Sequence, residues 1–216
     1  MSEKIQQKDT GKVIEEMKQI CKENPDSIMA HHNLALVYHK AGRVDEAIDE
    51  FNRCLEIDDQ ADDIYVNLGA LYYEKGDIEK ALEMNENALT YSSKPARAYC
   101  NIGLIMQHQD KDQEAIDYYR KATESDAELG FAWVNLASSY IMAGDFAQAL
   151  EAAKKGVATS PEFPLAHNNL AVAYYYNGQY QQAQEEADRA RKMGYSVEIS
   201  FFKAIEDALN NQEQTE

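Results

Sequence analysis

The 216-residue chain is 44% hydrophobic and 27% charged, so it carries enough apolar side chain to bury a sizeable core and is not disordered by composition. A formal net charge of −17 argues against nucleic acid and anionic membrane surfaces as partners, since both need clustered Lys and Arg. The polar opening MSEKIQQKDT and the lack of any long apolar run argue against a signal peptide and a membrane span, and three cysteines in no ligand spacing argue for a reducing compartment; the expected location is cytoplasmic.

In chain order, residues 1–11 read as a flexible N-terminal arm. Residues 12–27 read as a second helix that lacks its first, with Val13, Met17 and Ile20 on its apolar stripe. Five units then occupy 28–195 at a spacing of 34 residues (28–61, 62–95, 96–129, 130–163 and 164–197). Within each unit, apolar or aromatic residues at positions 4, 7, 8 and 11 make one helical stripe, and those at 17, 20, 21, 24 and 27 make another. Each unit is therefore a pair of amphipathic helices. Position 20 is alanine throughout (Ala47, Ala81, Ala115, Ala149, Ala183), and position 8 is alanine or glycine, so the two helices can approach closely. Gly42, Gly76, Gly144 and Gly178 mark the turns between the helices; Asp110 stands in that place in the third unit. Asn85 breaks the apolar stripe of the second unit and needs hydrogen-bond partners if buried. Residues 196–210, with Ser196 as N-cap, read as a capping helix, and 211–216 as a flexible tail.

An asparagine returns at position 6 of every unit: Asn33, Asn67, Asn101, Asn135 and Asn169. Helix amphipathicity has a period of about 3.6 residues and cannot place one polar residue at this interval. With position 4 (His31, Tyr65, Tyr99, Trp133, His167), position 20 and the small position 27, the pattern closely resembles the tetratricopeptide repeat family. The resemblance implies an all-α fold, a right-handed superhelical solenoid of antiparallel helix pairs. It also implies that the first helices line a concave groove with positions 2, 5, 6, 9, 12 and 13.

On that orientation the asparagines form a ladder able to hold the backbone of an extended protein or peptide partner, because a carboxamide both donates and accepts. The competing reading is that they bridge repeats with no ligand. Arg97 joins the ladder at position 2 of the third unit. The last two units add an apolar face of Phe131, Val134, Ile141, Met142, Leu165, Val172, Tyr175 and Tyr176, expected to take apolar side chains of the partner. A clamp for an acidic chaperone tail is not expected, since position 5 (His32, Val66, Cys100, Val134, Asn168) lacks the lysine it needs. The alternative function is a self-assembling structural scaffold, a homo-oligomer in which the groove or the helix ends bind another copy. No cofactor, metal or catalytic residue is expected: no phosphate loop, nucleophile elbow or zinc motif appears. His31 and His167 read as bonded core histidines, and Cys100 as groove lining.

Overall fold

Helix ends in this chain are set by local chemistry that recurs with the repeat. The computed structural model describes residues 2–213, with side chains from residue 10 to 212. Among the described residues there are twelve helices and no strand. They are α1 (Ser2–Glu23), α2 (Ile28–Lys40), α3 (Val44–Ile57), α4 (Asp62–Glu74), α5 (Ile78–Tyr91) and α6 (Ala96–His108). There follow α7 (Asp112–Ser125), α8 (Gly130–Ala143), α9 (Phe146–Thr159), α10 (Pro164–Tyr176), α11 (Tyr180–Lys192) and α12 (Ile199–Glu213). The protein is an all-α helical repeat of the solenoid class. No described helix is long and apolar enough to cross a membrane.

First helices begin at residues 28, 62, 96, 130 and 164, and end in a common hydrogen-bond pattern. The carbonyl of position 11 accepts a bond from the backbone N–H five residues on: Arg43 to Tyr38 at 2.9 Å, Asp145 to Tyr140 at 2.9 Å and Gln179 to Tyr174 at 2.9 Å. That closure requires a left-handed residue between, supplied by Gly42 (φ 72) and Gly144 (φ 75). Asp110 takes the same conformation (φ 57), and Lys111 still closes onto Met106 at 3.0 Å. Ser27, Asp77 and Asp145 cap α2, α5 and α9 by accepting the backbone N–H groups of Ala30, Lys80 and Gln148.

The chain divides into two compact units, one ending at Asn101 and one starting at Ile102. In the first, α1 packs on α2 and α2 on α3, around Ile14, Cys21, Leu34, Tyr38, Phe51, Cys54, Leu68 and Leu71. In the second, α8 pairs with α9, α10 with α11, and α12 covers α11 through Ile205, Phe201 and Leu209 against Ala183 and Ala187.

In the second to fifth units the residues at positions 8 and 24 are matched in size, whereas the first unit pairs Ala35 with Phe51. A Cβ added to Gly69 would lie 2.2 Å from Asn85 Nδ2, and one added to Gly103 would lie 2.8 Å from the Tyr119 ring. Where position 24 is Ala153 or Ala187, position 8 is Ala137 or Ala171. Asn85 is thus buried by design of its neighbour, donating to Ala81 O at 2.7 Å and accepting from Asn101 Nδ2 at 2.9 Å. Its partner requirement is met.

Three terminal expectations change. The backbone of α1 is already helical from Ser2, where an arm was expected; the segment is rich in Glu, Lys and Gln, which favour helix. The buried stripe of α1 is Ile14 and Cys21 with Met17 beside them, one residue later than expected, and Val13 and Ile20 are exposed. The spacing 14, 17, 21 satisfies helical periodicity as well as 13, 17, 20 does, and packing against α2 decides between them. Finally, α12 starts at Ile199, not at Ser196, because Val197 is drawn into the apolar cluster with its N–H turned back onto Tyr195 O, and Glu198 O accepts the first helical N–H, from Phe201. Residues 211–213 are helical; the rest of the expected tail lies outside the described residues.

Candidate functional site

In the first unit Asn67 and Asn101 are engaged with neighbouring repeats. Asn101 Nδ2 donates to the carbonyl of Val66 at 3.4 Å as well as to Asn85. Asn67 Nδ2 lies 3.4 Å from His32 Nε2, and its Oδ1 accepts from Arg97 at 3.3 Å. Asn33, on α2, is exposed. Around it stand the exposed Met29 and Leu36, and His39 contacts Glu74 at 2.8 Å.

In the second unit Asn169 is 5% exposed and donates to the carbonyl of Val134 at 3.1 Å, the same bridge that Asn101 makes. Asn135 is half-buried, and its carbonyl accepts from Ser139 Oγ at 3.0 Å. Each bridge runs from position 6 of one repeat to the position-5 carbonyl of the repeat before. A helical carbonyl has a second lone pair, and the carboxamide satisfies it. Asn169 is therefore a bridging residue and not a freely presented ladder rung. One of its two N–H donors is used inside the protein, and its side chain is buried.

Position 5 is also corrected. Val134 is 1% exposed, packed onto α9 where a Cβ on Gly156 would stand 3.1 Å from its methyl, so it cannot touch a partner. Cys100 and Val66 are buried as well, and burial pushes the Cys100 thiol up to about 12. Position 3 joins the core instead: Ala30, Ile64, Ala98, Ala132 and Ala166 are all buried. The signal was present in the run of small or aliphatic residues at that position.

The other members of the apolar face lie where a partner can reach them. Phe131 is 41% exposed, Met142 65% and Tyr176 55%; Ile141, Leu165, Val172 and Tyr175 are half-buried. Helices α8 and α10 contact each other directly. Tyr176 stacks on Phe146 with ring centroids 4.0 Å apart, and Tyr175 meets Tyr180 and Phe201 at 5.5 Å each. Side chains held by such contacts lose little rotamer freedom when a ligand arrives. Beside them opens a cleft of about 440 Å³, lined on α10 by Asn168, Val172 and Tyr176 and opposite by Tyr195 to Glu198, Ser200 and Phe201. The far wall was missed in the sequence because residues 196–198 read as the start of a helix.

Two family models match the chain, both described as tetratricopeptide repeat: one over residues 26–94 and 60–128, the other over 140–194. Among curated proteins none matches the sequence. Among solved structures, the APC/C hetero-tetramer Cut9-Hcn1 is similar at TM-score 0.76 and 17% identity; the match covers 94% of this chain but only 40% of that one. Pseudomonas aeruginosa pilF is similar at TM-score 0.76 and 16% identity, covering 92% of this chain and 90% of that one. YrrB, described as a TPR protein with an unusual peptide-binding site, is similar at TM-score 0.59 and 20% identity, covering 91% and 97%. At these identities the likeness is one of fold.

Proposed function

The chain belongs to the tetratricopeptide repeat family, and from that premise we propose that it is a non-catalytic protein–protein interaction module. Its second unit takes an extended partner segment by the segment's apolar side chains, in the role of adaptor, assembly factor or scaffold. The observation that carries this reading is the presence of Phe131, Met142 and Tyr176, exposed and large, on α8 and α10, with Tyr176 lining the cleft. An isolated exposed apolar residue needs no explanation, but several large ones on two contacting helices, one of them Tyr176 held by stacking on Phe146, mark a contact surface. The likeness to YrrB, a protein described as peptide-binding, lies in the same direction.

The asparagines take a reduced part in this reading. Asn101 and Asn169 stiffen the array that presents the surface, while Asn33 and Asn135 are the remaining candidates for contact with partner backbone. Most of the affinity comes from the apolar side chains, since each backbone contact adds only about 0.5–1.5 kcal/mol net. We place the protein in the cytoplasm, a reading supported by its three free thiols.

A displayed library of random peptides selected on the purified chain tests the proposal. The expected result is enrichment of peptides with spaced aliphatic or aromatic residues, whose binding falls at least about tenfold with Phe131→Asp and Met142→Asp together. Equal binding by that variant would refute the assignment. If no peptide is enriched and light scattering shows a mass that grows with concentration, a second copy is the occupant.

A further inference from the structure

Cys21 on α1, His31 on α2 and Glu50 on α3 each place one ligand atom within 4.8 Å of the others. All three belong to the first unit. His31 Nε2 lies 3.0 Å from the carbonyl of Pro25, and Nδ1 lies 2.7 Å from Glu50 Oε2. Pro25 O can only accept, so Nε2 carries a hydrogen. Nδ1 then faces the Glu50 carboxylate, an arrangement satisfied by a proton shared in an ion pair or, in its place, by a metal cation bound to both groups.

The fifth repeat supplies an internal comparison. His167 makes the same two contacts, to Pro161 O at 2.8 Å and Glu186 at 2.6 Å. There Glu186 also accepts from Arg189 at 3.0 Å, so a cationic side chain already sits on the carboxylate. In the first repeat the residue in that register, Arg53, turns instead to Glu56 at 2.6 Å. Ten residues before His167 stands Val157; ten before His31 stands Cys21. The first repeat therefore gives up the guanidinium and gains a thiol at the same place.

We propose that Cys21, His31 and Glu50 form a divalent-cation site of the zinc class, with Cys21 Sγ, His31 Nδ1 and a Glu50 oxygen as protein ligands. A thiolate, an imidazole and a carboxylate suit a borderline-soft ion, and three protein ligands leave a fourth position for water. The Nε2–H to Pro25 O bond is the outer contact that fixes tautomer and ring orientation in metal-bound histidines. Ligands at about 2.0–2.3 Å from a tetrahedral ion stand roughly 3.3–3.6 Å apart, so binding opens the 2.7 Å contact between His31 Nδ1 and Glu50 and draws in any ligand atom nearer the 4.8 Å limit, shifts of about 1 Å that side-chain rotation supplies. A cleft of about 490 Å³ leads to Cys21 and His31 from solvent, and its charged lining is balanced, Lys22 and Arg53 against Asp26 and Glu56. Without the ion, burial and the Glu50 charge raise the Cys21 thiol above its ordinary range. Binding exchanges the thiol proton for the ion, and that proton goes to solvent.

The test is titration of the chelator-stripped full chain with cobalt(II), followed by displacement with zinc. One equivalent should bind, with a thiolate-to-cobalt charge-transfer absorption and release of a proton. Cys21→Ser should lose that absorption, Glu50→Gln should bind at least about tenfold more weakly, and His167→Gln should be unchanged. Far-UV circular dichroism identifies any variant that fails to fold, and Glu50→Gln preserves shape should Cys21→Ser not. The proposal is overturned if the wild type shows no charge-transfer absorption, if Cys21→Ser keeps it, or if folded Glu50→Gln binds as tightly as the wild type.

Discussion

Replacing Gly69 by alanine tests the size matching between paired helices. Helix propensity alone says the change stabilises α4 by about 0.8–1.0 kcal/mol. The added Cβ, however, would lie 2.2 Å from Asn85 Nδ2, a distance no packed side chain tolerates. Overpacking costs about 1–3 kcal/mol, and displacing Asn85 strips it of Ala81 O and Asn101 Nδ2, leaving buried polar groups unpaired at about 1–3 kcal/mol more. Gly69→Ala should therefore destabilise by about 2–3 kcal/mol despite the better propensity. Combining it with Asn85→Ala recreates the alanine pairing of Ala137 with Ala153 and should recover most of the loss, giving a coupling of about 2 kcal/mol in a double-mutant cycle. Urea unfolding by circular dichroism reads the total, and hydrogen exchange of α4 and α5 amides reads the local loss. A Gly69→Ala variant as stable as the wild type, or additive with Asn85→Ala, would refute the reasoning.

Asp110→Gly should stabilise by about 0.5–1 kcal/mol, because a left-handed L-residue costs roughly 1–2 kcal/mol and only part of that is returned to the more flexible unfolded chain; a thermal melt reads it as a small rise in Tm. Val134→Asp should cost more than about 3 kcal/mol by burying an unpaired carboxylate, whereas Phe131→Asp, three residues earlier and exposed, should stay within about 0.5 kcal/mol; chemical denaturation distinguishes them. Burial holds the Cys54 and Cys100 thiols up at about 12, so in the folded chain they stay protonated at pH 8 and should resist an alkylating reagent until urea exposes them, as read by mass spectrometry. The sign of the linkage follows. Unfolded thiols lose their protons from about pH 8.5 upward while the folded ones keep them, so stability is full below that pH and falls as pH climbs toward 12.

The recurring features were legible in the sequence because they act locally. The interval of 34 residues places the starts of α2, α4, α6, α8 and α10, and the turn chemistry of Gly42 and Asp110 follows from what can adopt a positive φ. What escaped depends on a neighbour that no single helix encodes. Val134 looks like a candidate for the open face on a helical wheel, yet α9 covers it, with Gly156 cut back to admit it. The periodicity of residues 12–24 fits two registers, and contact with α2 selects Ile14 and Cys21. Asn169 reads as a rung for a ligand until the position-5 carbonyl beside it appears as its acceptor. Cys21, His31 and Glu50 share no motif, being separated by 10 and 19 residues and gathered only when three helices pack.

The matched sizes at positions 8 and 24 bear on how such arrays can be recombined. A helix lifted from one repeat and grafted into another carries only half of a lock: α4 with its glycine would leave a hole over Ala187, and α10 with Ala171 would collide with Asn85. Shuffling by duplication or by protein engineering is therefore cheapest when the crossover falls between repeats, where both members of a pair travel together.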